Sequence, residues 1–342
     1  MMRAERSQRF AGCPERRQFK VLQGHAAGKA ARRLRGIRGA TGAALLAAML
    51  TVSLVATLAS AALAIQWRGY EVEKAVRARL QAAWLLRGAV DRARLILGED
   101  ARSGGVDHLA QPWAIPVKEA KLTDFLGTNG ADQHGDYRDS LEAVFLSGEI
   151  TDLQSRLNVM NLVTADGFVS WPDYQAFQRL FAYLNLPSTE LQRAIQSLAA
   201  SRSEGRRPAS LLPQRLDQLV WLGLSAETVA VLKPYVIVLP TRTALNLNTA
   251  SPEAMYAAIE DASLGDARRL AAARLSAPFR TLGEAAKVLG PAGDSVTQSN
   301  IALGVATDYF QIAARLQMDD TTVEQRWVVQ RTVSTVQLLW ME

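Results

Sequence analysis

The chain has 342 residues, 49% hydrophobic and 21% charged, enough apolar material to bury a core, which excludes a wholly disordered chain. Its net charge of +6 is uneven: residues 1–42 carry eleven Lys/Arg against Glu5 and Glu15, a local +9, so the rest sums to −3. A faintly acidic body argues against a duplex-binding face, and the lone cysteine, Cys13, excludes disulfides, thiolate metal sites and cysteine nucleophiles from everything after the leader.

Ala43–Ile65 reads AALLAAMLTVSLVATLASAALAI, 23 residues without a charge, long enough to span a bilayer. The basic upstream flank predicts a cytoplasmic N-terminus with the body on the other side. Trp67 and Tyr70 fall where interfacial aromatics are expected. Three readings of the segment stand side by side. One is a secretory signal cleaved at the Ala-Ser-Ala around Ser60, the second a plain anchor, and the third a prepilin-type signal cut ahead of an apolar run that is kept.

From Trp67 to Leu97 there is no proline, and Val72, Val76, Leu80, Ala83, Leu86, Val90, Ala93 and Leu97 recur at three and four. That spacing predicts one apolar helical face. Joined to the apolar run it makes a helix about 80 Å long at ~1.5 Å per residue, with its Val76–Leu97 part expected to pack on the body's strands.

Residues 99–152 are punctuated by Gly104, Gly105, Pro112, Pro116, Gly127 and Gly130, with a strand expected over Ala143–Ile150. His108 and His134, near Asp132 and Asp136, match no standard zinc spacing. Between 153 and 240 three helices are predicted, FQRLFAYLNLP, STELQRAIQSLAA and LPQRLDQLVWLGL. Ser188 or Thr189 is placed as the cap of the second.

Residues 244–290 read ALNLNTASPEAMYAAI, DARRLAAARLS and TLGEAAKVLG, a helix-hairpin-helix pattern. Such hairpins present backbone N–H groups to phosphate. Here the hairpin position, Asp261-Ala262-Ser263-Leu264-Gly265-Asp266, has one glycine and two flanking acids, which repel phosphate. Asn246 and Asn248 are assigned to turn and cap hydrogen bonds, and Ser251 caps a helix with Pro252 in its first turn. From Phe310 to Met318 apolar and polar residues alternate, Asp319-Asp320 turn the chain, and Val323–Val333 and Val336–Trp340 follow as strands.

Four stretches resemble, in order, the minor pseudopilin K family of type II secretion systems. They are Gly42 with AALLAAMLTV after it; Val106-Asp107-His108-Leu109 with Trp113-Ala114 and Pro116; Leu245-Asn246-Leu247-Asn248-Thr249-Ala250-Ser251, preceded by Pro234-Tyr235-Val236 and Leu239-Pro240; and Tyr309-Phe310-Gln311-Ile312. The resemblance runs from residue 42 to about 331. It implies cleavage between Gly42 and Ala43 by prepilin peptidase and methylation of the new Ala43 amine. Mature position five, Glu in most pilin-like proteins, is Ala47 here, and the K family is similarly apolar there. A lone carboxylate in lipid needs a partner, supplied in a filament by a neighbour's N-terminal amine; a subunit at the tip has no neighbour above it. The implied function is therefore a minor pseudopilin at the pseudopilus tip, initiating and capping assembly for export across the outer membrane. The implied partners are the other minor pseudopilins, the major pseudopilin, prepilin peptidase and inner-membrane lipid, with no nucleic acid.

The family's Asp-rich calcium loop is not matched. Between Ser201 and Pro208 the one acid is Glu204, amid Arg202, Arg206 and Arg207, and calcium needs six to eight oxygens at about 2.3–2.6 Å. No cofactor or metal is therefore expected. The motifs of serine hydrolases, dinucleotide and P-loop sites and zinc proteases are missing from the sequence, so no enzyme activity is expected. Two alternatives stay open: a membrane-anchored DNA-binding or DNA-uptake receptor using Asn246–Gly290, and an uncleaved single-span scaffold.

The expected fold is α+β, a pilin-like long N-terminal helix packed on an antiparallel sheet with a large inserted all-α, helix-hairpin-helix/SAM-like region. Its parts are a leader at 1–42, the transmembrane half-helix at 43–65, the amphipathic half-helix at 66–98, and loops with first strands at 99–152. The helical insert follows at 153–243, a helix-hairpin-helix-like subdomain at 244–305, and the closing strands at 306–342.

Overall fold

The computed structural model describes residues 40–122, 144–202, 211–318 and 321–341. The leader with Cys13, the stretch holding Gly127, Gly130, Asp132, His134 and Asp136, the segment with Glu204, Arg206 and Arg207, and Asp319-Asp320 lie outside these residues. The chain divides into two compact units, Met1–Trp67 and Arg68–Glu342.

Helix α1 spans Ala40–Ser103. In the first unit every side chain from Gly42 onward is exposed. The hydroxyls of this stretch are satisfied within the helix: Thr51 donates to the Ala48 carbonyl (2.9 Å), Ser53 to Leu50 (3.0 Å), Thr57 to Leu54 (2.8 Å) and Ser60 to Ala56 (2.8 Å). Nothing polar on those side chains is left asking for water, which is what a lipid environment demands.

In the second unit, strands β1 (Val117–Lys121), β2 (Val144–Asp152), β7 (Tyr309–Met318), β8 (Thr321–Arg331) and β9 (Val336–Met341) form one antiparallel sheet in the order β1-β2-β7-β8-β9. Two small parallel pairs lie between β2 and β7 in sequence: β3 (Leu157–Asn158) with β4 (Val236–Ile237), and β5 (Leu245–Asn246) with β6 (Leu303–Gly304). So do the helices α2 (Trp171–Tyr183), α3 (Ser188–Arg202), α4 (Ala226–Leu232), α5 (Pro252–Ala258), α6 (Leu264–Ser276), α7 (Leu282–Leu289) and α8 (Asp294–Thr297). Since β2 and β7 are hydrogen-bonded neighbours, this whole region is an insertion between two adjacent strands.

Period-two alternation puts Val144, Leu146, Phe310, Ile312, Ala314, Leu316, Trp327 and Val329 on one sheet face, against Ala82, Leu86, Ala89, Val90, Ala93 and Leu97 of α1. Trp113 adds an edge-on contact to Phe310, with ring centroids 5.1 Å apart. Each valine, leucine, isoleucine or phenylalanine among them contributes roughly 1.5–3 kcal/mol by leaving water. The seam starts later than the helical period alone predicts. Val72, Val76 and Leu80 are exposed, and burial begins at Ala82. The buried seam from Ala82 to Leu97 is about 24 Å long at ~1.5 Å per residue, within the about 33 Å that the ten residues of β7 span at ~3.3 Å each.

The opposite face of the sheet carries Tyr309 and Val328, packed with Leu153 and Leu239. A separate, larger core, including Phe177, Leu180, Leu198, Leu222, Met255, Ile259 and Leu270, fills the insertion. Three boundaries there differ from the sequence expectation. The stretch LDQLVWL, residues 216–222, is a 3-10 helix stopped by Gly223 at φ 96°, and an α-helix restarts after the Ser225 cap. Helix α2 begins six residues before Phe177, with Pro172 in its first turn. Helix α3 begins at Ser188, so Ser188 and Thr189 both lie inside it and neither stands ahead of it as the cap.

Candidate functional site

Gly42, Ala43 and Ala47 lie in the opening turns of α1 and are exposed. A Cβ built on Gly42 meets nothing within 4 Å. From Ala43 to Ile65 the exposed surface is apolar on every side, with Leu45, Leu46, Met49, Leu50 and Val52 all facing outward. Among the described residues one helix is long and apolar enough to cross a membrane, which fits a single-pass anchor.

The second feature is a buried polar junction where the insertion leaves and rejoins the sheet. Arg331, at the end of β8, is 8% exposed. Its guanidinium donates to Asp100 Oδ2 on α1 (2.5 Å), to both carboxylate oxygens of Asp107 (2.6 Å each) and to the Thr307 carbonyl (2.8 Å). Its other flank lies over the Phe310 ring, 4.7 Å from the centroid. One cation thus ties together the end of α1, the loop after it and the start of β7. Such charge-assisted bonds are the strong ones.

Beside it, Asp152 at the end of β2 is buried and held by hydroxyl and amide donors. Its carboxylate accepts from Thr307 Oγ1 (2.7 Å), Thr249 Oγ1 (2.5 Å), Asn246 Nδ2 (2.9 Å) and the Gln154 N–H (2.7 Å). Burial pushes its pKa up, against the pull of these donors. The carboxyl of Asp308 is raised as well, chiefly by burial, with Arg331 opposing.

The residues assigned to turns and caps have wider roles. Asn246 accepts from the Asn248 N–H (3.0 Å), a local turn, and its amide also donates to the Asp107 carbonyl (3.1 Å) and to Asp152. Asn248 exchanges two hydrogen bonds with the Phe279 backbone, at 2.9 and 2.8 Å. Ser251 caps α5 by accepting from the Ala254 N–H (3.2 Å). Sequence reasoning quoted Asp107 and passed Asp152 but assigned neither a role, and it missed Arg331, Thr307 and Gln154.

The hairpin position of the helix-hairpin-helix-like segment is occupied by its own side chains. Asp261 takes a positive φ of 60°. The Ser263 N–H donates to Asp266 Oδ2 (2.8 Å), and the Asp266 N–H to Ser263 Oγ (3.2 Å), closing a capping box. The Ser263 hydroxyl, which donates to Asp266 Oδ2 (2.7 Å), and then the Ser263 N–H hold the Asp266 carboxyl below its ordinary pKa. A phosphate would meet an ionised carboxylate and committed N–H groups. Among the described residues, no group of three or more His, Cys, Asp or Glu is arranged to hold a metal ion.

Two family models described as type II secretion system (T2SS), protein K, match residues 155–241 and 245–306. A curated relative, the type II secretion system protein K of Pseudomonas aeruginosa, is 27% identical over 296 residues, 79% of this chain and 82% of that protein. Among solved structures, the crystal structure of the GspK-GspI-GspJ complex from the type 2 secretion system of enterotoxigenic Escherichia coli contains a chain of the same fold. Its TM-score is 0.58 at 16% identity, covering 79% of this chain and 98% of that one.

Proposed function

The chain belongs to the type II secretion protein K family and is a minor pseudopilin, and from that premise we propose that it sits at the pseudopilus tip, where it initiates the filament and caps it. The family is a structural component of a secretion apparatus; the DNA-uptake alternative has no support from the relatives. We read the chain as doing no chemistry of its own, the energy coming from a cytoplasmic ATPase.

The observation that carries this reading is the division of labour along α1. Its leading stretch is charge-free with self-satisfied hydroxyls, while its trailing stretch buries Ala82–Leu97 on the sheet. The reading places the leading stretch in the inner membrane, the N-terminus in the cytoplasm and Arg68–Glu342 in the periplasm. Prepilin peptidase would cut between Gly42 and Ala43, and the Ala43 amine would then be methylated. Ala47 leaves no carboxylate to be matched in lipid, as suits a subunit with no neighbour above it. The proposed partners are two smaller minor pseudopilins, as GspI and GspJ are for the Escherichia coli protein, and the major pseudopilin below them. No cofactor is assigned, and no calcium site is carried over.

The test is mass spectrometry of the membrane-extracted chain, with an N-methylated Ala43 as the expected first residue. A chain that still holds residues 1–42, or that begins after Ser60, refutes the processing and with it the assembly role.

A further inference from the structure

Between β9 and the insertion lies a cleft of about 460 Å³, within the roughly 300–1,000 Å³ of small-molecule sites. Its apolar walls include Met160, Leu239 and Pro240 of the insertion and Met341 of β9; two flexible thioethers let such a wall adapt to its guest. Trp340 lines it as well, on the face of the sheet turned away from α1, where its ring packs against the cluster of Tyr309 and Val328. The Trp340 Nε1–H is shut off from solvent and no acceptor reaches it. An indole N–H can only donate, and leaving a buried donor unpaired is costly. Arg215, just ahead of the 3-10 helix Leu216–Leu222, brings a cation to the same cleft. Its segment is held in place by Gln218, whose Oε1 accepts from the Gln214 N–H (2.7 Å) and the Arg215 N–H (3.3 Å). The Arg215 guanidinium meets Asp217 only at 3.7 Å, beyond hydrogen-bond length. Among the described residues no Asp or Glu lines the cleft.

We propose that this cleft is a binding site for a small apolar carboxylate. The apolar body lies against Met160, Leu239, Pro240 and Met341, and the carboxylate accepts from the Trp340 Nε1–H and the Arg215 guanidinium. The chemistry of the walls selects this class. An indole and a guanidinium offer donors and no acceptor, so a ligand that brings only donors gains nothing from them. A cation with no carboxylate in the wall favours an anion, and hydrogen bonds to an ionised acceptor are roughly twice as strong as neutral ones. A plain hydrocarbon fills the apolar part and leaves both donors unused. A bare inorganic anion leaves the apolar walls unused and is itself costly to desolvate against them. Two sources offer the matching chemistry: a free short-chain acid, and the last residue of a polypeptide, whose terminal carboxylate stands beside an apolar side chain. The site goes beyond the assembly reading and does not depend on it.

The experiment titrates the detergent-solubilised full chain with hexanoate and with N-acetyl-leucine, and with the amide of each as an uncharged match. The readout is the rise in melting temperature that a ligand bound to the folded state produces. Hexanoate stands for a free acid and N-acetyl-leucine for the end of a polypeptide. At least one of the two acids is expected to raise the melting temperature, and the one that does so at the lower concentration identifies the source. Trp340→Phe keeps an aromatic ring and removes the N–H; Arg215→Met removes the charge from a half-exposed side chain. Each variant is compared with its own unliganded melting temperature, so a change in stability does not obscure binding. Both are expected to raise the acid concentration needed for half the effect about tenfold, as loss of a hydrogen bond to a charged group does. The amide should need about tenfold more than its acid in the wild-type chain. No rise with either acid in the millimolar range overturns the site, as does a wild-type titration in either variant. An amide that matches its acid overturns the assignment of an anion. Each of these failures leaves processing at Ala43 and the assembly role standing.

Discussion

Replacing Arg331 by methionine isolates what the junction cation does. Methionine keeps an unbranched stem to lie over Phe310, so packing is largely preserved and the guanidinium is lost. Three acceptors then lose their donor: Asp100, Asp107 and the Thr307 carbonyl. Asp107 is 2% exposed, and a buried carboxylate left without its cation is far costlier than an exposed one. Breaking one side of such a pair costs about 3–5 kcal/mol. For a unit of this size each kcal/mol moves the melting temperature by about 2–4 °C, so Arg331→Met should melt about 6–20 °C below wild type. The assay is thermal unfolding of the detergent-solubilised full chain at pH 7, followed by circular dichroism. Asp107→Asn alone also breaks the pair, but combined with Arg331→Met it removes the stranded charge. The double variant should therefore be less destabilised than the sum of the singles by about 0.5–3 kcal/mol. A melting temperature for Arg331→Met within about 2 °C of wild type, or strict additivity in the cycle, would refute the idea that a desolvated charge cluster holds this junction.

Asp152 carries a pH signature. Burial raises its folded-state pKa above the ordinary aspartate range, so between the unfolded and folded values the folded state binds the proton more tightly, and this group's contribution declines as pH rises. Asp152→Asn lacks that slope, so the stability advantage of wild type over the variant should narrow as pH rises from about 4; an advantage that widens contradicts the raised pKa. Gly293 is held against α7, where a Cβ would stand 2.2 Å from the Ala286 carbonyl oxygen. Gly293→Ala must move backbone and should lower stability by about 1–3 kcal/mol, at the upper end for a clash of this kind; a denaturation midpoint equal to wild type rules the contact out.

The sheet, the long helix and their mutual packing were legible because each rests on a repeat. Alternation over Phe310–Met318 and the three-four spacing to Leu97 are local, and burying both faces against each other is the simplest way to satisfy them. What the repeat could not give was where contact stops. Val72, Val76 and Leu80 continue the same face yet stay exposed, because which turns of the helix meet a strand is decided by residues far along the chain. The junction was hidden for a related reason. Asp100, Asp107, Asp152, Asn246, Thr307 and Arg331 are scattered over the chain with no spacing in common, and the partner of each is fixed by topology. Asn246 and Asn248 show the limit most clearly. The local role of Asn246, accepting from the N–H two residues on, is written in the sequence. The bonds of Asn246 to Asp152 and of Asn248 to the Phe279 backbone, far along the chain, are not.

Those scattered polar residues have one physical task. Where β2 ends and β7 begins, the backbone leaves its ladder, and each N–H that loses a strand partner must find another acceptor, since burying it unpaired is expensive. Side chains supply the acceptors: Asp152 for the Gln154 N–H, Gln154 for the Asp308 N–H and Asp107 for the Thr307 N–H. Further into the insertion, Asn158 serves Met160 and Leu239, and Asn161 serves Thr243. An apolar neck would bury more hydrocarbon but would leave these groups stranded. Because Asp152 reaches Thr307 and Asp107 reaches both Thr307 and Arg331, the two strands of the neck are clasped to each other and to the end of α1. The insertion is thereby tied at its base to the sheet and to the end of α1 by side chains from four separate stretches of the chain.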